Sequence, residues 1–284
     1  MSAVEGEPLP YVRDVPRISY VQPDDPWWTQ KLVSSVEVLF GRNRIERIYH
    51  ELKTHPFDVQ SFFAQALDRT RIRVEFDHAQ LQKIPRSGPV VFLANHPFGV
   101  VDGIILCHLA LQTRGDFRIL IHSLLCQDAD LAPYFLPIDF QPSKQAVRNN
   151  INSKNKALDY LRRDIPILIF PSGMVSTADR FGFGDVADAP WTTFAAKLIR
   201  ESGATVVPVR FSGQNSRKFH VASHIAEPLR MALLVHEALN KFGESIEVAV
   251  GDPIGADSLE QYADRQSLTD YLYRVVQNTG GSRH

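Results

Sequence analysis

Apolar positions along this chain follow two periods, and the periods alternate. After Asp24-Asp25-Pro26, a helix start with proline in the first turn, Trp28, Leu32, Val36 and Leu39 recur at helical spacing. Two further helical stretches are predicted over about 44–52 and 58–67. Residues 71–76 then alternate apolar and polar. After the turn residues Pro85-Arg86-Ser87-Gly88 comes Pro89-Val90-Val91-Phe92-Leu93-Ala94, a short apolar run that reads as a buried strand. Strand-like runs follow at 117–121, 165–170, 204–211 and 246–250. Helical patterns lie between them at about 102–111, 144–162, 191–201 and 229–242, and a last helix is expected over 258–276.

Strands alternating with helices indicate a layered α/β domain, with a mostly parallel or mixed sheet flanked by helices. The expected organisation is an N-terminal arm and helices over residues 1–69, then an α/β domain with a C-terminal helix over 70–284. Residues 1–25, rich in Pro, Asp and Glu, read as an extended arm. There is no internal repeat and no low-complexity segment.

The 284 residues suffice for a sizeable core without covalent staples. At 44% hydrophobic and 22% charged the composition is that of an ordinary globular protein. A net charge of -1 argues against a general nucleic-acid binder, while leaving room for a local basic face. The two cysteines, Cys107 and Cys126, both sit in apolar runs and read as buried, reduced thiols, which suits a cytoplasmic protein. The N-terminus lacks the basic start and apolar stretch of a signal peptide, and no apolar run reaches the ~20 residues that span a bilayer. Membrane contact is therefore expected to be peripheral. Trp27, Trp28, Leu32, Val36, Leu39 and Phe40, with Lys31 and Arg42 beside them and Phe62 and Phe63 added, form a candidate contact face; packing of the same face on the core is the equal alternative.

The predicted strand 89–94 runs into Asn95-His96-Pro97-Phe98-Gly99-Val100-Val101-Asp102. In α/β folds ligands bind where strands give way to helices. A histidine there can take a proton near neutral pH, and a carboxylate can hold its tautomer and support its charge. Gly99 can supply the backbone turn that brings Asp102 back towards His96. Alone the pair is a weak signal, since the chain has 10 histidines and Asp102 could simply cap a helix.

The segment with its following Gly103 resembles the first signature of the glycerolipid acyltransferase superfamily, and is most similar to its hemolysin-like, lyso-ornithine-lipid-type branch. There Asn-His-Pro-Phe-Gly precedes Asp-Gly, with five residues between His and Asp where the wider superfamily has four. Ile119–Leu125 with Phe135-Leu136-Pro137-Ile138-Asp139 resembles the second block, Ile169-Phe170-Pro171-Ser172-Gly173-Met174-Val175-Ser176 the third, and the run from Val206 to Ser216 the fourth. The resemblance covers roughly residues 40–255. It implies a glycerol-3-phosphate acyltransferase-like core. It also implies transfer of a fatty acyl group from acyl-CoA or acyl-carrier protein to the hydroxyl of a lysolipid, without a cofactor or metal, at the cytoplasmic face of the membrane. On that basis His96 deprotonates the acceptor and Asp102 orients it. Asn95, Phe98, Gly99, Ser172 and Gly173 line the substrate site, and Lys144, Arg148, Lys154 and Arg180 are candidate binders of anionic groups. Backbone N–H groups around Gly99 or Gly173 are candidate oxyanion donors.

One departure stands out. The third block usually carries an acid, as Phe-Pro-Glu-Gly or Phe-Pro-Ala-Gly-Glu; here Ser172 and Met174 occupy those positions. A non-catalytic lipid- or acyl-binding protein and a thioesterase-like hydrolase therefore stay open as alternatives. His220 and His224, four apart and followed by Glu227, suit a helical face but lack other metal ligands, so a structural role is expected. No Gly-x-Ser-x-Gly elbow or phosphate-binding glycine loop is present.

Overall fold

The computed structural model describes residues 26–281 except 28, 29, 32, 33, 36, 37, 39, 40, 54–56, 127, 140–142, 180 and 226. The expected arm and much of the expected first helix, including Trp28, Leu32, Val36, Leu39 and Phe40, lie outside the described residues.

A seven-stranded sheet organises the molecule. Its strands are β1 (Arg73–Glu75), β2 (Val90–Ala94), β3 (Arg118–His122), β4 (Phe135–Ile138), β5 (Ile167–Ile169), β6 (Thr205–Phe211) and β7 (Ser245–Val250), in the order β1-β7-β6-β2-β5-β3-β4. All neighbouring pairs are parallel except β6 with β7. Every residue of β2 is 0% exposed, as befits an interior strand of a parallel sheet covered on both faces.

Period-two alternation then divides the core. Val90, Phe92 and Ala94 face one apolar layer, Val91 and Leu93 the other. The first layer is closed by α2 (Val59–Thr70) and α4 (Val100–Arg114), with α1 (Arg42–Leu52) and α8 (Glu227–Asn240) beside them; the second by α5 (Lys144–Arg162), α6 (Phe194–Ser202) and α10 (Arg265–Asn278). Short helices α3 (His78–Gln82), α7 (Arg217–Ser223) and α9 (Ala256–Leu259) lie between these elements.

Local chemistry sets the helix ends. Asp58 caps α2 by accepting from the N–H groups of Gln60 and Ser61 at 3.0 and 3.1 Å. The final helical stretch is two helices, not one: Asp264 starts α10 afresh, accepting from Ser267 N at 2.8 Å while the Ser267 hydroxyl accepts from Asp264 N, a reciprocal cap inside the expected span. Strand β4 escaped the periodicity because of Pro137, which a sheet tolerates at an edge, where β4 lies. Helices α3 and α7 are too short to show a helical period.

Phe62 and Phe63, for which membrane contact and packing on the core were equal alternatives, are buried at 6% and 4% exposure. Phe62 packs edge-on to Tyr49, and Phe63 edge-on to Phe117 at the start of β3. They belong to the core because α2 presents them, with Val59, Ala66 and Leu67, as one apolar stripe against the sheet layer. Cys107 and Cys126 are buried, free thiols, and burial raises both, Cys126 to about 12, so neither is a ready nucleophile.

The burial of Phe63 yields a prediction. Phe63→Ala should lower stability by about 3–5 kcal/mol within a single unfolding transition, measured by urea titration followed by circular dichroism. A separate early transition for the 42–70 segment would show that α2 is not part of the α/β core.

Candidate active site

Strand β2 delivers the chain to the carboxyl edge of the sheet, and the next five residues form a loop held on all sides. Asn95 fastens it: its amide nitrogen donates to the Phe211 carbonyl at 3.0 Å, and its amide oxygen accepts from Phe211 N at 2.7 Å. Both functional atoms of Asn95 thus bind the end of β6, so this residue positions the loop. Phe98, at 3% exposure, is buried in the first core layer, with Gly213 so close that a Cβ there would stand 2.9 Å from its ring. The Lys241 ammonium lies 4.4 Å from the centre of the same ring.

Gly99 makes the turn into α4 at φ 79° and ψ -122°, a conformation that favours glycine. The turn brings Asp102, in the first turn of α4, back over the loop. Its Oδ2 accepts from Phe98 N at 2.8 Å and Gly99 N at 3.0 Å, and stands 3.0 Å from His96 Nδ1. It is a close pairing without a formed hydrogen bond at Nδ1, and Asp102 Oδ1 has no hydrogen-bond partner among the described residues. Unliganded catalytic contacts are often loose in this way. The capping role and the His96-supporting role considered for Asp102 are therefore one arrangement.

Asp102 is fully buried, and burial pushes its carboxyl above the usual range; His96 and the two N–H groups oppose that rise. With Nδ1 turned to the carboxylate, the other ring nitrogen, Nε2, is left to handle a substrate proton. The imidazole lies flat on Phe170, the first residue of the third block after β5, with ring centres 4.1 Å apart at 25°. His96 keeps 18% side-chain exposure, so it is reachable.

The backbone of His96 is held as firmly as its ring. Its carbonyl accepts from Ser176 N at 2.8 Å, and its N–H donates to Asp188 Oδ1 at 3.2 Å. Asp188 also accepts from the Ser176 hydroxyl and, at 2.8 Å, from Trp191 Nε1. Phe170, Ser176, Asp188 and Trp191 form a supporting frame. Phe170 and Ser176 belong to the third block, while the pattern of residues does not single out Asp188 and Trp191; their only sequence signal is an acid and an aromatic three apart.

Other expected site residues fall as follows. The Gly99 N–H is engaged by Asp102 and the Gly173 N–H by the Phe170 carbonyl at 3.0 Å, so neither is available as an oxyanion donor in this geometry. Ser172 is buried, and its hydroxyl donates to the Met174 carbonyl at 2.8 Å, closing its own turn; Met174 is 47% exposed. Lys144 and Arg148 are exposed on α5. Lys154 pairs with Glu201 at 2.8 Å and ties α5 to α6. Arg180 lies outside the described residues. His220 Nδ1 accepts from Ala178 N at 3.2 Å and His224 Nε2 bonds the Ala178 carbonyl at 2.9 Å, so this pair clamps the loop after the third block. No group of three or more His, Cys, Asp or Glu among the described residues is placed to hold a metal.

A reachable imidazole beside a buried carboxylate, at the carboxyl edge of a parallel sheet where ligands bind, is an arrangement that can accept a proton in group transfer. The model of the acyltransferase family matches residues 37–275, and the chain belongs to that family and is an acyltransferase. It is 29% identical to a lyso-glycine lipid O-acyltransferase of Phocaeicola vulgatus over 245 residues, 82% of this chain and 85% of that one. It is 26% identical to the lyso-glycine lipid O-acyltransferase of Bacteroides thetaiotaomicron over 82% of this chain and 87% of that one. Its fold is similar to the crystal structure of the 1-acyl-sn-glycerophosphate acyltransferase of Thermotoga maritima, with a TM-score of 0.51 and 15% identity, covering 88% and 86% of the two chains.

The raised carboxyl of Asp102 has a signed consequence. Its folded pKa lies above its unfolded value, so the ionised form burdens the fold at neutral pH, and the burden disappears below the unfolded value of about 3.9. Asp102→Asn removes the charge while keeping an oxygen for Phe98 N and Gly99 N. The variant should melt at or above the wild-type temperature at neutral pH, and that margin should shrink as the pH falls towards the carboxylate range. A clear loss of stability at neutral pH would mean that the three donors outweigh burial.

Asp188→Ala should lower turnover about ten- to a hundred-fold, the effect expected when a misplaced group loosens a catalytic geometry, with a smaller change in KM. Unchanged turnover in the folded variant would remove Asp188 from the frame of His96.

Proposed function

We propose that this protein transfers a fatty acyl group from an acyl thioester, carried by coenzyme A or acyl-carrier protein, to the hydroxyl of a lysolipid. The observation that carries this reading is the His96–Asp102 pair, held with Nδ1 towards the carboxylate in a chain of the acyltransferase family. In the proposed reaction His96 Nε2 takes the proton of the acceptor hydroxyl as its oxygen attacks the thioester carbonyl carbon. The buried Asp102 carboxylate stabilises the imidazolium that forms. Collapse of the tetrahedral intermediate breaks the carbon–sulfur bond, and the imidazolium returns its proton to the leaving thiolate. The products are the O-acylated lipid and the free thiol.

The two relatives are lyso-glycine lipid O-acyltransferases, which makes a lyso-glycine lipid the first acceptor to examine. Met174, at the third-block position where an acid is usual, supports an acceptor other than the superfamily's commonest one. Membrane-surface placement on the cytoplasmic side belongs to the same proposal; no described helix is long and apolar enough to cross a membrane.

The test is acyl transfer by the purified chain to a panel of lyso-glycine lipid, lyso-ornithine lipid and lysophosphatidate, with each donor type. His96→Ala should reduce transfer by about 10²- to 10⁴-fold, the range of a lost general base, with its circular dichroism spectrum unchanged. Undiminished transfer by folded His96→Ala would sink the mechanism. Release of free fatty acid at a rate indifferent to every acceptor would replace transfer by hydrolysis.

A further inference from the structure

The excursion from residue 177 to 187 is rooted on the catalytic histidine at both ends. Ser176, just before it, donates its N–H to the His96 carbonyl, and Asp188, just after it, accepts from the His96 N–H. A bridge between Thr177 and Ala187, with both N–H groups donating across, closes its neck. Its outer end carries Phe181 and Phe183, 57% and 56% exposed.

These aromatics are held outward by a built turn. Asp179 Oδ1 accepts from Phe181 N and Phe183 N, both at 3.0 Å. Gly182 takes φ 69°, and a Cβ there would meet Arg217 Cγ at 2.7 Å. Arg217 Nε donates to the Phe181 carbonyl at 3.2 Å, and its guanidinium lies 3.4 Å from the centre of the Phe183 ring. Below, His220 and His224 hold Ala178 by its two backbone groups. Exposed apolar side chains continue around this excursion: Ile225 at 69%, next to His224; Met174 at 47%, two residues before Ser176; and Val100 at 41%, next to Gly99. These are five of the ten large apolar side chains exposed among the described residues, and all stand on segments that hold or adjoin the His96 loop.

Solvent exposure of so many large apolar groups on one functional region marks an interaction surface. Its charge decides the partner. Arg217 and Lys218 are exposed in the first turn of α7, Arg217 against the aromatics; Asp179, also exposed, has its Oδ1 turned to the loop's own N–H groups, and Asp185 is exposed on the excursion itself. Two cations flanking outward aromatic rings fit the head-group and acyl boundary of an anionic bilayer.

We propose that the 177–187 excursion is the membrane-seating element of this enzyme: Phe181 and Phe183 enter the lipid boundary, Arg217 and Lys218 meet anionic head groups, and the lipid acceptor passes from the bilayer to His96 past Met174 and Val100. The proposal rests on a lipid acceptor as read above. Seating at this loop places the bilayer against the segment that carries His96, and the acceptor need not leave the lipid phase fully to be acylated.

The experiment uses the full chain and vesicles of phosphatidylcholine with phosphatidylglycerol. Co-sedimentation of Phe181→Ser/Phe183→Ser should show affinity reduced about tenfold or more, the scale set by two half-exposed aromatic rings leaving an apolar phase. Arg217 also stabilises the turn, so Lys218→Glu is the charge variant, and it should weaken binding only when phosphatidylglycerol is present. As a positional readout, Phe183→Trp fluorescence should be quenched by bromine-labelled lipid relative to the unsubstituted chain. Acyl transfer to an acceptor in dilute detergent micelles should be within about twofold of wild type in the Ser/Ser variant, and transfer to vesicle-borne acceptor should fall with binding. Equal vesicle binding by the Ser/Ser variant, no added quenching, or no vesicle binding by the wild type would each overturn the proposal. If Phe183 instead protects acyl-carrier protein contacts, transfer from that donor alone would fall with vesicle binding unchanged, which also overturns it. Absence of transfer to any lipid acceptor in micelles, with vesicle binding and quenching as expected, would strike the functional reading and leave the docking surface standing.

Discussion

The buried carboxylate of Asp102 is the interaction around which the rest is arranged. A charge with no exposed surface is costly unless donors surround it. Here one oxygen gathers two backbone N–H groups and an imidazole, and the first turn of α4 adds a favourable helix end. That demand fixes the path of the loop. It requires Gly99 at positive φ, turns the Phe98 ring into the core, and leaves His96 with only one nitrogen for outside chemistry. Burial lifts the Asp102 carboxyl and the donors restrain it, so the two act on the same group from opposite sides.

Rigidity at His96 comes from elements far apart in the chain. The ring rests on Phe170 at the end of β5, the peptide groups are held by Ser176 and Asp188, and the preceding Asn95 is fastened to the end of β6. Three neighbouring strands, β6, β2 and β5, end at this edge, which is why parallel order matters: it brings their carboxyl ends together. The two core layers fix the strands' depth and register, and so serve the site without touching it.

Large apolar side chains stand exposed on segments that hold or adjoin the His96 loop. Where the superfamily's third block tends to carry an acid, this chain shows Met174 to solvent and uses Ser172 to close a turn. The His96–Asp102 pairing is set by Asp102 and its loop, while Ser172 and Met174 depart from the third-block pattern without disturbing it.

By itself the sequence determined the layered α/β class, most strands and helices, the placement of His96 and Asp102 at the end of a buried strand, and, through four ordered blocks, the family. These are legible because periodicity and short-range turn chemistry are local: Asp58, Gly99 and Val90–Ala94 announce their roles within a few residues. Only the tertiary structure decided what long-range partners decide. Lys154 became a strut because Glu201 lies opposite it, Asn95 became a fastener because Phe211 ends beside it, and Phe62 and Phe63 entered the core because β3 and its neighbours offered a surface to cover. Asp188, distant in sequence from His96 and marked by no motif, acquired its place in the same way. The spacing of His96 and Asp102 made their meeting possible, but it is the loop's own N–H groups, the Phe170 ring after β5, Phe211 in β6, and Ser176 and Asp188 flanking the 177–187 excursion that turn that spacing into a site.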